Sequence, residues 1–129
     1  MIKAKVYGVE VGKKPNISGK FVILKYPGST IEIGHSFVCR SVEASHPSCG
    51  LARIKTLAPK ARVSIGNRVE MIGTSLTCRS TFIMIGDNSK IESNCIIVDS
   101  DFHFTDPARR TDFNEEEDDG VKIGRNVLI

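Results

Sequence analysis

The 129-residue chain has no tryptophan, two tyrosines and six phenylalanines. So thin an aromatic complement argues against a nucleic-acid binder, which interleaves rings with its basic patch. The net charge of +3 is modest and uneven, with lysines near the N-terminus, basic residues from Arg53 to Arg68 and acids around Glu115. This reads as a solvated surface, with a few cations available to cofactor phosphates. No apolar run is long enough to span a bilayer. The opening MIKAKVYGVEVGKKP alternates charged with apolar residues instead of forming a signal core, so the cytoplasm is the expected compartment. Four cysteines, Cys39, Cys49, Cys78 and Cys95, lack any CxxC or Cys/His spacing and read as reduced core residues. No metal is expected.

What is present is a period of six. In IGDNSKIESNCIIVDSDFH, Ile85, Ile91 and Ile97 recur at that interval, Gly86 follows the first, and small Ser89 and Cys95 sit four places after Ile85 and Ile91. This period belongs neither to a helix nor to an ordinary strand. It fits an all-β parallel solenoid, each hexad one short strand plus a corner, with the aliphatic residue inward and a small or left-handed residue turning the chain. Three hexads close a triangular coil. Ile33, Ile65, Ile85 and Ile123 each precede a glycine, and this recurrence ranks the solenoid above a β-sandwich with glycine turns.

Counting three hexads from Ile85 reaches His103, where a new coil is due, yet the Ile-Gly start returns only at Ile123-Gly124. The interval from His103 to Lys122 is polar, contains Pro107 and the acidic run Glu115 to Asp119, and reads as a loop leaving one corner and returning to it. Long loops in compact proteins tend to carry function, so His103, at the root of this one, is the candidate catalytic group.

Within a single domain, residues 1–16 hold a strand, Ile2 to Val11, that caps an open end. Coils run over 17–102, with Ile17, Phe21, Ile23, Ile31 and Ile33 inward and Gly19, Gly28 and Gly34 at corners. An excursion spans 43–61, a loop spans 103–122 and the next coil starts at 123–129. Ile65 to Ile85 is two residues longer than a coil, and the surplus is assigned either to Met71-Ile72 or to Ile83-Met84.

The hexads, the DSDFHxxDP stretch from Asp99 to Pro107, the acidic loop and the returning VKIGRNVLI resemble the left-handed β-helix (hexapeptide-repeat) acyltransferases. Among these, the sugar and polysaccharide O-acetyltransferases are the nearest in pattern. The resemblance implies a left-handed parallel β-helix, a homotrimer of triangular prisms with sites in the clefts between them, and acetyl-CoA as cosubstrate. It implies that His103 is the general base that deprotonates a sugar hydroxyl as it attacks the thioester. Imidazole suits that step because its pKa begins near neutrality. Asp101 or Asp99 is positioned to orient the ring or hold the acceptor, Asn94 to meet a sugar hydroxyl, and His35 and His46 read as surface or loop residues.

The pattern departs from the family at Leu128, where tryptophan is common, and at Ile129, beyond which relatives continue for several coils. The chain therefore reads as truncated, with self-association expected of its open end. One alternative is a non-catalytic trimeric β-helix that binds a partner through its loop. Another, ranked lower, is a γ-carbonic-anhydrase-like metal site, which needs three converging histidines.

Overall fold

A computed structural model describes residues 8–41, 50–112 and 117–129. His46, Cys49, Glu115 and most of the Ile2–Val11 strand lie outside them. The described chain is all-β, with parallel strands in three sheets, an arrangement consistent with a β-helix. In order the strands are β1 (Glu10–Val11), β2 (Asn16–Gly19), β3 (Val22–Leu24), β4 (Thr30–Ile33), β5 (Val38–Ser41), β6 (Arg53–Thr56) and β7 (Arg62–Ile65). They continue with β8 (Glu70–Ile72), β9 (Ser75–Cys78), β10 (Phe82–Ile85), β11 (Lys90–Ile91), β12 (Ile96–Val98) and β13 (Val121–Ile123). The chain visits the sheets in rotation: the first holds β1-β4-β7-β10-β13, the second β2-β5-β8-β11 and the third β3-β6-β9-β12.

Strand register explains why the sequence takes this form. In the first sheet Val11, Ile33, Ile65, Ile85 and Ile123 stack in one column, and Ile31, Val63, Ile83 and Val121 in another. Ile17, Cys39, Met71 and Ile91 are aligned in the second sheet, and Ile23, Ile54, Leu76 and Ile97 in the third. Most of these side chains are buried. Alternate residues such as Glu32, Ser64 and Met84 face outward, as the two-residue strand period dictates. Each added strand extends the apolar columns, so burial of this stripe, at about 25 cal/mol per Å² of apolar surface, is the main stabilising term.

The corner between the first and second sheets is the most regular. Gly12, Gly34, Gly66, Gly86 and Gly124 begin it, and Lys14, Ser36, Arg68, Asn88 and Asn126, two places on, have φ between 55 and 60°. The first four glycines are required because each of these corners almost touches the next. A Cβ on Gly86 would lie 2.6 Å from the carbonyl carbon of Gly124. His35 belongs here: its exposed ring accepts a hydrogen bond from the Lys13 amide on Nδ1 at 2.8 Å, while its own amide donates to Asn67 Oδ1.

Three boundaries differ from the sequence reading. Arg53–Thr56 pairs with β3 and β9, so the later part of the 43–61 excursion belongs to the third sheet, drawn in by buried Ala52 and Ile54. The two surplus residues have neither expected location. The step from Met71 to Leu76 is one residue short because Gly73 (φ 53°) makes a tighter turn, and the corner Arg79 to Thr81 carries three extra. The loop runs from Asp99 to Gly120, since Val121 is already paired with Ile83. Glu10–Val11 is the outermost strand of the first sheet.

Insertions recur at one corner. The connections from the third sheet back to the first, Lys25 to Ser29, Leu57 to Ala61, Arg79 to Thr81 and 99–120, all exceed the hexad spacing. The loop bearing His103 is the longest of this series.

Candidate functional site

Asp99 opens the loop directly after β12 and is 3% exposed. Its Oδ1 accepts from the Arg79 amide at 2.6 Å; its Oδ2 accepts from the amides of Ser80 (3.1 Å) and Thr81 (2.8 Å) and from the Thr81 hydroxyl (2.8 Å). Burial pushes its carboxyl upward, but the amides of Arg79, Thr81 and Ser80 and the Thr81 hydroxyl outweigh this and hold it below the usual carboxylate range. Asp99 therefore caps the preceding corner and neither orients His103 nor holds an acceptor. Cys78 lies against it, Sγ to Oδ2 3.5 Å. Burial, then the Asp99 charge, push this thiol up to about 12, which makes it unreactive.

The same corner supplies Arg79, which sequence reading passed over. Its Nε donates to Asp118 Oδ2 at 2.8 Å, with the two side chains 4% and 2% exposed, and its Nη1 donates to the Phe102 carbonyl at 3.3 Å. Asp118 also accepts from the Ser80 hydroxyl at 2.6 Å. One guanidinium thus fastens both ends of the loop. The backbone adds a bond from the Asp119 amide to the Asp99 carbonyl, and Gly120 passes against the Phe82 ring where a side chain would not fit.

Between these roots the Asp106-Pro107 pair has a local explanation. Asp106 caps the short 3-10 turn Pro107–Arg109, its carboxylate accepting from the Ala108 amide at 2.9 Å, and proline occupies the first turn, where its missing N–H is not needed. Arg109 stacks 3.8 Å from the centroid of buried Phe104, fixing the turn to the loop.

His103 is exposed, and its Nδ1 lies 3.0 Å from the Arg110 carbonyl. A carbonyl only accepts, so in this bond Nδ1 carries the proton, and in the neutral ring Nε2 retains the basic lone pair. The orienting group is a backbone oxygen further along the loop; among the described residues no carboxylate bonds the ring. Asp101 is exposed and lines the same depression as His103, together with Arg79, Ser100, Phe102, Phe104, Glu117 and Asp118. Asn94 does not. It is exposed at the corner between the second and third sheets, in a left-handed conformation (φ 62°) that turns the chain there. The structure thus brings Asp101 to His103 and leaves Asn94 at another corner.

The depression measures about 180 Å³, solvent included. A larger groove of about 450 Å³ lies on the outer face of the first sheet, lined by Thr30, Glu32, Arg62, Val63, Ser64, Phe82 and Met84. Its strands begin at the corner from which the loop leaves. His35 and His103 occupy different corners, and no group of three His, Cys, Asp or Glu side chains among the described residues is placed to hold a metal. No helix among the described residues is long and apolar enough to cross a membrane.

Fold and site together define an all-β chain of three parallel sheets with a histidine on a clasped corner loop. No family model matches the chain, and no curated protein or solved structure does either.

Proposed function

We propose that this chain is a left-handed β-helix O-acetyltransferase that moves an acetyl group from acetyl-CoA to a hydroxyl of a sugar or polysaccharide precursor, with His103 as general base. The observation that carries this reading is the His103 Nδ1 contact with the Arg110 carbonyl, because it leaves Nε2 as the basic nitrogen of a ring carried on a long loop. The left hand is proposed from the six-residue spacing of inward residues, the pattern in which the chain resembles the left-handed β-helix acyltransferases.

In the proposed step Nε2 takes the acceptor's O–H proton while that oxygen bonds to the thioester carbonyl carbon. The tetrahedral adduct collapses with cleavage of the C–S bond, the imidazolium returns the proton to the departing thiolate, and the products are an ester and free CoA thiol. No net proton is left on the protein. The depression in one chain encloses far too little space for a whole sugar or cofactor. This supports a site completed by a neighbouring copy, as in a homotrimer. The groove on the first sheet offers Phe82 and Met84 as apolar contacts for the pantetheine arm and Arg62 to a phosphate.

The test is calorimetry with acetyl-CoA, alongside thiol release against a panel of sugars, for the native chain and His103→Ala. Binding by both with thiol release lost in the variant supports the reading. Absence of binding by the native chain refutes it and moves the non-catalytic trimeric module into its place.

A further inference from the structure

Phe102 has φ 64°. Bulky side chains avoid this left-handed conformation. Among the described residues the other non-glycine examples, Lys14, Ser36, Arg68, Asn88, Asn94 and Asn126, all turn corners between sheets, where the repeat demands it. Phe102 lies off the sheets, and its conformation is held by bonds to both sides of its backbone. Its amide donates to the buried Ser100 hydroxyl at 2.8 Å, and its carbonyl accepts from Arg79.

Arg79 is itself locked to Asp118 in a pair almost without solvent. Desolvating two charges is costly, and such a pair is better understood through what it fixes than through net stability. What this one fixes is the backbone of Phe102, a residue 39% exposed, beside the candidate base in the same depression. The Arg79 guanidinium lies 5.7 Å from the ring centroid, so a buried cation stands against the partly exposed ring.

We propose that Phe102 is the acceptor platform: the apolar C–H face of a sugar ring packs on the phenyl ring, placing a hydroxyl at His103. Sugar binding stands on the geometry of the ring, while the chemistry after binding rests on the acetyl-transfer reading. A ring is the appropriate group because it buries apolar area at little conformational cost and leaves the sugar's hydroxyls free for polar partners, with exposed Asp101 at hand. Arg79 and Asp118 act through Phe102 and are positioning residues.

Because the chain contains no tryptophan, Phe102→Trp supplies a single indole at the platform, which can be excited selectively over the two tyrosines. Titration with methyl glycosides is expected to give a saturable emission change, and titration with acetyl-CoA alone none. In turnover, Phe102→Ala is expected to raise the acceptor KM roughly tenfold, the scale of one lost ring contact, with the acetyl-CoA KM unchanged and Phe102→Tyr near native. An effect confined to the acetyl-CoA KM, or no change in either KM, overturns the platform while leaving acetyl transfer standing. If no sugar supports turnover, acetyl transfer fails, and saturation-transfer NMR with the same methyl glycosides judges the platform separately. Transfer from the native chain that is lost in Phe102→Ala sustains it, and absence of transfer from the native chain overturns it.

Discussion

The corner cap at Asp99 invites a substitution that changes one atom. In Asp99→Asn the side chain keeps its shape but replaces one carboxylate oxygen by an NH₂ group. If the amide oxygen stays on the Ser80 and Thr81 side, where three donors converge, the NH₂ faces the Arg79 amide that had been bonded at 2.6 Å. The reverse orientation sets donors against donors at two amides. The better orientation loses one charge-assisted bond and leaves a buried donor unpaired, which costs about 2 kcal/mol, and Asp99→Ala, which strands every donor, costs about 4 kcal/mol. Urea unfolding followed by circular dichroism at neutral pH measures both.

The acid limb gives an independent check. The folded carboxyl titrates below its unfolded value, so its contribution is present above the unfolded pKa of about 3.9 and is lost as pH falls through the folded value. Native stability is expected to fall in that window, and that of Asp99→Asn to fall less steeply. An asparagine variant within about 0.5 kcal/mol of native, the range of ordinary surface substitutions, would refute the cap.

Further expectations concern packing and charge. Gly86→Ala drives a Cβ against the Gly124 backbone and is expected to cost about 3 kcal/mol, read from a thermal melt. Arg79→Met strands the Asp118 carboxylate and is expected to cost about 3–5 kcal/mol, with much of it recovered in the Arg79→Met, Asp118→Leu double variant. Urea midpoints of the two variants check this; equal stability would show that the buried charge is not the problem. Cys78, with its thiol pushed up to about 12, is expected to resist iodoacetamide at pH 8 in the folded chain and to react after unfolding, as peptide mass mapping would show.

The sheets were legible where the period is unbroken. Ile85, Ile91 and Ile97 fall one in each sheet, and each Ile-Gly pair ends a strand of the first. Elsewhere counting failed because the chain both shortens and lengthens within one circuit, at Gly73 and at Arg79 to Thr81, and a total conceals two changes of opposite sign. The loop was recognisable as an interruption; it opens at Asp99, four residues before His103, which the hexad count had placed at its root.

The clasp was harder to see. Asp118 sits in an acidic run that resembles a solvated surface, and only the fold shows that one of its members meets a buried guanidinium. Arg79 did leave a signal: it is flanked by Cys78 and Ser80 directly after an alternating strand, a place where a lone charge needs a partner. Proximity in sequence offered Asp101 or Asp99 as a carboxylate to orient the histidine, yet Asp99 is consumed by the backbone and the Arg110 carbonyl bonds the ring. A backbone acceptor has no signature in the residue types.

The central claim is tested most directly by incubating the chain with carbonyl-labelled [¹³C]acetyl-CoA and a sugar panel and looking for an ester carbonyl by NMR. The account predicts a sugar ester with the native chain and none above background with His103→Ala, whose fold the exposed position leaves intact. An equal ester yield from the variant would contradict the role of His103, and no ester from the native chain with any acceptor would contradict acetyl transfer itself.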